Sequence, residues 1–419
     1  MKIAVIGAGI IGITTAYELA VDGHEVTVFE RRGAAAEETS FANAGVVAPG
    51  SVTPWAAPGM PGKVLGNLLS RHAAVKLSLP LTRNDLAWMW KWWRACKLES
   101  YLANRARLQR LAFYSRERLH HLTTALQLEY DRAEGYTVLL RSEKDSLLVQ
   151  PGLQVLRDAG VAFSEINAQA VRKIEPAINP DTEFLGGIHL PDDEVANCRQ
   201  FALLLKDKAR DLGVTFEFNT TVAQLNQARA ASVWIAGESS PRQFDRVVMC
   251  AGLASGALLK PLGLNIPMTA VYGYSISAPI REALNAPRSA LMDEHYKVAI
   301  SRLGNRVRVA GSAEIGGSLS KHRASSVQTL YKVLHDWFPG AAQNANTGAS
   351  VQLWKGARPM LPDGPPLIGD SGIAGLWLNL GHGSSGWALS CGSARALADV
   401  MAGKAADVDM EGLGLGRLG

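Results

Sequence analysis

A glycine-rich turn near the N-terminus constrains the fold of this chain more than any other feature. Residues 3–6 (IAVI) form an apolar run typical of a buried strand, and Ile13–Val21 is typical of a helix. Between them, glycines at GxGxxG spacing permit a tight turn, a close backbone approach to a pyrophosphate, and close packing of helix on strand. The helix N-terminus adds free N–H groups that favour phosphate. The candidate cofactor residues in this turn are Gly7, Gly9, Ile10, Ile11 and Gly12.

A carboxylate follows the second predicted strand, Glu25–Glu30. Glu30 lies eighteen residues after Gly12, where an acid hydrogen-bonds ribose hydroxyls and repels a 2′-phosphate. The βαβ unit therefore predicts a dinucleotide site for FAD or NAD rather than NADP. Glu30 and the adjacent Arg31 are candidate cofactor residues, and this unit alone leaves FAD and NAD both open.

The order of predicted elements favours an α/β protein with a second domain inserted into the first. Strand and helix patterns typical of the dinucleotide unit occur at both ends and in the middle of the 419 residues, and strand-rich segments lie between them. We therefore predict a discontinuous cofactor domain comprising 1–50, 151–178, 194–262 and 355–419. The substrate domain would comprise 51–150, 179–193 and 263–354. The glycine-rich tail that follows residue 411 is predicted to be mobile.

Composition excludes several classes of protein. The net charge of +5 and the hydrophobic fraction of 47% are those of a globular chain, and no recognised nucleic-acid motif is present. Four cysteines without a CxxC pair argue against a disulfide framework or a cysteine zinc site and favour a reducing, cytoplasmic compartment. The histidines 189, 295 and 382 show no metal-ligand spacing, so no metal site is predicted.

Several longer motifs resemble the D-amino-acid dehydrogenases, within the wider family of FAD-dependent D-amino-acid oxidases and glycine oxidases. The resemblance runs nearly end to end. It is carried by GAGIIG at 7–12, ETSFANAG at 38–45, WMWKWWRAC at 88–96, VYGYSIS at 271–277, MDEHYKVAISR at 292–302, GARPMLPDGPPLIG at 356–369 and LNLGHGSSGWALSCGSARALAD at 378–399. It implies FAD as cofactor and a Rossmann-like FAD-binding domain of the GR2 type, with an inserted substrate domain of antiparallel β-sheet plus helices.

The resemblance also implies further cofactor contacts. Small residues after the second strand would let a loop lie against FAD, one strand would meet the adenine through its backbone, and a C-terminal turn would direct N–H groups at the flavin. By matching motif these residues are Ser40, Asn43, Ala44, Gly45, Val222, Ala251, Gly252, Gly381, His382, Gly383, Ser384, Ser385 and Gly386.

On the substrate side, the resemblance implies that Arg358 pairs with the substrate carboxylate, because a guanidinium and a carboxylate match as a two-point fork. A structural salt bridge is the alternative. Tyr272 and Tyr274 lie two residues apart on a predicted strand and so face one side of it. These two tyrosines and Tyr296 are candidate pocket residues, with packing in the core as the alternative for each.

The tryptophan-rich segment 88–96 lies in a basic stretch. Residues 71–118 contain eleven Lys or Arg and three Asp or Glu, and four of the ten tryptophans fall between 88 and 93. Tryptophan together with basic residues favours a membrane interface with anionic lipid. The resemblance implies the same, since D-amino-acid dehydrogenases deliver electrons to the respiratory chain at the inner membrane. A helix packed on its own core or on a partner subunit is the alternative.

Together these features predict oxidative deamination of D-amino acids, or of cyclic imino acids such as D-proline, by hydride transfer to flavin N5. We expect quinone or another non-oxygen acceptor, and peripheral contact with the cytoplasmic face of the inner membrane. An oxygen-using oxidase of glycine, sarcosine or D-amino acids is one alternative. An FAD-binding subunit of a larger dehydrogenase is another, and an NAD-dependent dehydrogenase is a more distant third.

Overall fold

A computed structural model describes residues 1–66, 70, 72–226, 231–342 and 351–418. In chain order its helices are α1 (Ile10–Val21), α2 (Met60–Gly66), α3 (Arg83–Ala95), α4 (Leu98–Ala125), α5 (Glu143–Asp158), α6 (Ala168–Ile174), α7 (Cys198–Asp211), α8 (Ser255–Leu259), α9 (Ala324–Trp337) and α10 (Gly386–Met401). Short 3₁₀ turns include Gly252–Ala254, Gly383–Ser385 and Leu415–Leu418.

The strands, in the same order, are β1 (Lys2–Ile6), β2 (Glu25–Phe29), β3 (Val46–Val47), β4 (Val75–Ser78), β5 (Arg132–Leu140), β6 (Ser164–Asn167), β7 (Gly186–Ala196), β8 (Thr215–Glu217), β9 (Val222–Leu225), β10 (Ser232–Ile235), β11 (Arg242–Gln243), β12 (Arg246–Met249), β13 (Thr269–Pro279), β14 (Ala290–Asp293), β15 (Val298–Leu303), β16 (Arg306–Gly316), β17 (Gln352–Met360), β18 (Leu367–Asp370) and β19 (Leu376–Leu380).

The first sheet gathers strands from both ends and the middle of the chain. Its order is β18-β19-β12-β1-β2-β8, and every pair is parallel except β18 with β19. Alternate residues of β1 point to opposite faces, so Ile3 and Val5 pack under α1, α4, α7 and α10, whereas Ala4 and Ile6 pack toward the small sheet β11-β10-β9. The predicted Rossmann-like α/β domain is confirmed.

The second sheet is the inserted one. Its order is β17-β13-β16-β15-β14-β5-β7-β3, with β4 paired to β16 and β6 paired to β7. Two of its pairs, β14 with β5 and β4 with β16, are parallel, so the predicted antiparallel sheet is mixed. One face, with Ile276 and Ile300, packs under α9. The other face carries residues of the opposite parity, including Gly273, Ser275 and Arg358.

Several local predictions were wrong, for reasons that lie in pairing and packing. The apolar run at 161–163 (VAF) predicts a short strand after a helix, but the strand forms instead at Ser164–Asn167, where β7 supplies its partner. That pairing attaches part of the segment 151–178 to the second sheet rather than to the cofactor domain. Conversely, α4 packs on α10 and the first sheet, although its residues were assigned to the substrate domain. The amphipathic helix α9 was missed within a segment interpreted as strands.

The tail is docked where it was predicted to be mobile. Leu413 is fully buried, and its carbonyl accepts a hydrogen bond from Ile368 N–H. Arg417 pairs with Asp363 at 2.7 Å and donates to the carbonyls of Pro365 and Pro366. The tail therefore packs against the edge of the first sheet.

Candidate active site

A cavity of about 1500 Å³ lies between the glycine turns of the first sheet and the second sheet. Nearly every predicted cofactor residue lines it. From the N-terminal unit these are Gly7, Gly9, Ile10, Ile11, Glu30 and Arg31; from the following loop, Ser40, Asn43, Ala44 and Gly45; and from later segments, Val222, Ala251, Gly252 and residues 381–386.

Gly12 is the exception, because it lies beneath the turn rather than in the cavity wall. A Cβ atom at Gly12 would sit 1.8 Å from the carbonyl oxygen of Gly7, so only glycine lets α1 pack this closely. Gly7 itself has φ +103°, and a Cβ there would approach the carbonyl oxygen of Cys250 at 2.8 Å. These two glycines fix the turn that opens the N-terminus of α1 toward the cavity. Ser40 closes the turn from the loop side, accepting the Ile10 N–H at 3.1 Å.

Glu30 is held by the backbone at the end of β2. Its Oε2 accepts the Ala8 N–H at 2.8 Å and its Oε1 accepts the Arg32 N–H at 2.9 Å. The carboxylate is therefore oriented at the cavity wall, where a ribose hydroxyl could reach it. Arg31 also borders the cavity, but its guanidinium pairs with Glu38.

The C-terminal turn, residues 381–386, has its own conformational requirements. Gly381 and Gly383 have φ of +79° and +57°, and a Cβ on either would collide with Leu361 or Met360. His382 is buried, and burial lowers its pKa to about 3, so the imidazole is neutral at ordinary pH. Its Nε2 lies 3.1 Å from Ser393 Oγ.

Three buried polar atoms beside this turn have no hydrogen-bond partner within the described chain: His382 Nδ1, Asn379 Oδ1 and Trp387 Nε1. All three residues border the cavity. Buried polar atoms are normally paired, so these fit a wall that faces a polar ligand. With the glycine turns, the Glu30 carboxylate and the N-termini of α1 and α10, the residues present fit the FAD that the resemblance implies.

Arg358 lies in the cavity wall on the face of the second sheet that carries Gly273. Its Nη1 donates to the carbonyl of Ser312 at 3.0 Å, and no carboxylate of the described residues pairs with it. Desolvation lowers its pKa to about 10, which leaves the guanidinium charged at neutral pH. A Cβ on Gly273 would sit 2.3 Å from Arg358 Nη2, so the missing side chain provides the space that the guanidinium occupies. Gly273 was not among the residues predicted from the sequence, although a glycine between two tyrosines on a strand was a visible signal.

All three candidate tyrosines border the cavity, but their hydroxyl groups have different surroundings. Tyr272 and Tyr274 do share one side of β13, with the Lys355 ammonium 4.5 and 5.1 Å from their ring centres. The Tyr274 hydroxyl, however, bonds to Glu314 and accepts the Arg323 N–H, and the residue is 1% exposed. Hydrogen bonds within the protein thus engage that hydroxyl, although Tyr274 also borders the cavity, and Tyr272 remains a candidate contact in the cavity wall.

Tyr296 borders the same cavity at the turn between β14 and β15. Its ring packs against His295 at 4.7 Å and His72 at 6.0 Å, and the Arg141 guanidinium lies 5.1 Å from the ring centre. It remains a candidate substrate contact.

The tryptophans of α3 divide between its two faces. Trp88 and Trp92 are buried against β13, β16 and β17, and Trp88 Nε1 donates to the Met360 carbonyl at 2.8 Å. Trp90 and Trp93 are 57% and 53% exposed. Packing on the protein's own core therefore explains two of the four tryptophans and leaves the other two on the surface.

Among the residues that the structure describes, no group of three or more His, Cys, Asp or Glu side chains could hold a metal ion. No helix in the ranges that the structure describes combines the length and the apolar character needed to cross a bilayer.

The chain matches a known family model over most of its length and is similar to named proteins from end to end. The family model "DAO: FAD dependent oxidoreductase" matches residues 2–400. A D-amino acid dehydrogenase of Bradyrhizobium diazoefficiens is 41% identical over 419 residues, covering 100% of this chain and 99% of that protein. A D-amino acid dehydrogenase of Vibrio atlanticus is 38% identical, with full coverage of both chains.

Solved structures are similar in fold at much lower identity. Glycine oxidase from Geobacillus kaustophilus superposes with a TM-score of 0.74 at 19% identity, covering 99% of this chain and 98% of that one. L-proline dehydrogenase from P. horikoshii gives 0.74 at 16% identity, covering 100% and 97%. At such identities the similarity supports the two-sheet fold and nothing finer.

Proposed function

Because the chain belongs to the DAO family of FAD-dependent oxidoreductases, we propose that it catalyses the oxidative deamination of D-amino acids, with Arg358 binding the substrate carboxylate. Relatives that share about 40% of its residues over the full chain carry the name D-amino acid dehydrogenase. The proposal includes cyclic imino acids such as D-proline, whose oxidation would give a cyclic imine that water then hydrolyses to a ring-opened amino 2-oxo acid.

In this reaction the main role of the protein is to bind and orient the substrate and the cofactor. The redox chemistry would be supplied by FAD when bound, as acceptor of a hydride from the substrate α-carbon, and water would then hydrolyse the imino acid to a 2-oxo acid and ammonia. Arg358 would fix the carboxylate through a two-point contact and thereby fix the α-carbon. The surrounding wall, which includes Trp55, Val75 and Trp354, would limit the access of water.

The observation that carries this proposal is the state of Arg358. A charged guanidinium without a carboxylate partner is costly in a desolvated wall, because its charge is poorly compensated. The hydrogen bond that Arg358 donates to the Ser312 carbonyl is to a neutral oxygen and does not balance the positive charge. A substrate carboxylate would complete the pairing, and the cavity on which Arg358 borders is also lined by the glycine turns that fit the cofactor.

The proposal is tested by an anaerobic absorbance titration of the FAD-loaded protein with D-alanine, D-proline and D-glutamate and with their L-forms. Loss of the oxidised flavin band with D-forms alone is expected. Bleaching by L-forms alone would contradict the assignment. If no substrate bleaches the flavin until a partner protein is added, the FAD-binding subunit becomes the better description.

Arg358→Leu tests the carboxylate contact. Removing one partner of a buried charge pair costs about 2–4 kcal/mol in substrate binding, so KM for the best D-amino acid should rise at least thirtyfold. Arg358→Lys keeps the charge without the fork and should recover part of the loss. An unchanged KM and kcat in Arg358→Leu would remove this residue from the site.

For the electron acceptor we propose quinone or another non-oxygen acceptor, which the dehydrogenase name of the relatives supports. The reduced protein should transfer electrons rapidly to a short-chain quinone and slowly to oxygen. Stoichiometric hydrogen peroxide formation at a comparable rate in air would instead identify an oxidase.

We also propose that the exposed face of α3 makes peripheral contact with the cytoplasmic side of the inner membrane. Trp90 and Trp93 lie there beside exposed Lys91 and Arg94, a combination suited to an anionic lipid interface.

The protein should float with vesicles containing phosphatidylglycerol and not with pure phosphatidylcholine. The double variant Trp90→Ser/Trp93→Ser should lose this binding. Leu284→Ser, which alters an exposed apolar residue elsewhere, should retain it, and equal binding by all three proteins would refute the contact.

A further inference from the structure

The loop that carries Ser40, Asn43, Ala44 and Gly45 is tied to the second sheet along its carbonyl edge. Three side chains of that sheet donate to three consecutive carbonyl oxygens of the loop: Ser275 Oγ to Ala42 at 2.9 Å, Arg308 Nη1 to Asn43 at 3.0 Å, and Ser301 Oγ to Ala44 at 2.7 Å. The loop belongs to the cofactor side of the cavity, whereas the donors belong to the inserted sheet.

The three donors come from adjacent strands and one face of the sheet. In the strand register Ser277 of β13 faces Arg308 of β16, which in turn faces Ser301 of β15. Ser275 lies two residues before Ser277 and therefore points the same way. Arg358, on β17, shares this face, since Val271 is its register partner.

The two serine donors are buried, and the arginine, which is half-buried, is held by a second hydrogen bond. Ser275 and Ser301 are 1% and 0% exposed. Arg308 Nε donates to Ser277 Oγ at 2.9 Å, which fixes the guanidinium plane. No carboxylate within the described ranges forms an ion pair with Arg308, so its contacts are with backbone and hydroxyl oxygens. The guanidinium therefore positions a backbone carbonyl rather than balancing a carboxylate.

Holding the carbonyls determines where the N–H groups point. Within a planar trans peptide the C=O and the following N–H are directed oppositely. With the carbonyls of Ala42 and Asn43 bound to the sheet, the N–H groups of Asn43 and Ala44 point away from it. Neither N–H has a protein acceptor in the described part of the chain, and both residues line the cavity. Backbone N–H groups that are unpaired in a cavity wall are available to donate hydrogen bonds to a ligand.

We propose that Ser275, Arg308 and Ser301 are positioning residues for the cofactor. Ser275 and Arg308 hold the Ala42 and Asn43 carbonyls so that the backbone N–H groups of Asn43 and Ala44 are presented to FAD. Ser301 anchors the next peptide of the loop, whose Gly45 N–H donates to Asn43 Oδ1 at 3.0 Å. The inserted sheet thus sets part of the cofactor's binding surface, and the same face carries the Arg358 guanidinium. The inference goes beyond the proposed function, because it holds whichever substrate and electron acceptor the protein uses.

The test measures FAD binding by the apoprotein, following the quenching of flavin fluorescence on titration. Losing one hydroxyl donor should weaken FAD binding by roughly threefold to tenfold, from the usual net value of a hydrogen bond. Ser275→Ala and Ser301→Ala should each show this effect, and the double variant should show approximately the product. Ser275→Thr and Ser301→Thr, which keep the hydroxyl, should recover most of the affinity.

Ser232→Ala is the matched control. Ser232 is a buried strand serine whose hydroxyl also donates one hydrogen bond, to Gln243 at 2.7 Å, and it does not border the cavity. All three single alanine variants should lower the apoprotein Tm, but only Ser275→Ala and Ser301→Ala should reduce the rise in Tm that a fixed FAD concentration produces. Unchanged FAD affinity in the double alanine variant would overturn the proposal. Equal weakening by Ser232→Ala would also overturn it.

The Arg308→Met variant provides a second test of the proposal. It should weaken FAD binding more than either serine variant, because it frees the Asn43 carbonyl and leaves Ser277 without its donor. If this variant does not fold, the serine variants still decide the question.

Discussion

At the residue scale, the position of Arg358 depends on the absence of a side chain at Gly273. A methyl group there would lie 2.6 Å from Arg358 Cζ and force the guanidinium aside, away from the Ser312 carbonyl. Gly273→Ala should therefore raise KM for the D-amino acid about tenfold while the protein still folds, since alanine is tolerated in a strand. Steady-state kinetics measures the effect.

A double-mutant cycle shows whether this effect acts through Arg358. If it does, Gly273→Ala should add little to the loss already present in Arg358→Leu. Independent, additive losses would mean that Gly273 matters for another reason.

Asp193 makes a second residue-scale prediction, on pH. Burial raises its pKa from 3.8 to about 7; Asp192 and Glu194 add to this shift, and Arg116 opposes it. Well below pH 3.8 the carboxyl is protonated in both the folded and unfolded states. Between about pH 4 and 7 the folded state binds the proton more tightly, so the contribution of this group to stability falls as the pH rises.

Asp193→Asn removes that penalty. Relative to the original protein, its free energy of unfolding should be similar near pH 4 and should rise by on the order of a few kcal/mol by pH 8. Urea unfolding at both pH values measures this difference, and a difference that did not vary with pH would contradict the assigned cause.

At the element scale, α3 shows how much a pattern can predict. The tryptophan cluster indicated an amphipathic helix, and the structure has one, opened by a capping box between Thr82 and Asp85. Which tryptophans face inward depends on β13 and β17, about 180 and 270 residues later in the chain. Local sequence could not supply that information.

The two faces of α3 should respond differently to truncation. Trp88→Ala removes a buried ring and the hydrogen bond to the Met360 carbonyl, and should cost about 3–5 kcal/mol in the free energy of unfolding. Trp90→Ala should change it by less than about 0.5 kcal/mol, because that ring is exposed. Similar losses in denaturant unfolding of the two variants would show that the exposed face is packed against something in solution.

Other elements mark where sequence reasoning succeeded and failed. The βαβ unit was predicted to within three residues because its signals, a buried strand, a glycine turn and an acid at the end of β2, are all local. Helix α9 was missed although Leu330, Val333, Leu334 and Trp337 recur at helical spacing. Its N-terminus lacks a side-chain cap, and strand-like runs lie before it, so the periodicity alone had to identify it.

At the scale of the whole molecule, the site depends on relationships between distant segments. The glycine turns could be identified from sequence because each carries its own conformational requirement. The links of Ser275, Arg308 and Ser301 to the 42–44 loop could not be, since serine and arginine on a strand are ordinary, and only the folded register brings them to that loop. Likewise, the strand pairing of residues 164–167 decides which sheet that segment joins.

The interleaved first sheet also has a consequence for how the protein is made. Strand β1 pairs with β2 within thirty residues, but its other neighbour, β12, lies more than two hundred residues later, and β19 beyond it ends at residue 380. A nascent chain emerging from the ribosome therefore cannot complete this sheet until nearly all of the chain has been translated. The same holds for the part of the cavity wall formed by residues 381–386. Contacts of such long range form slowly. The cofactor must consequently be bound at the end of synthesis or after release, once the N-terminal glycine turn and the turn at residues 381–386 have come together.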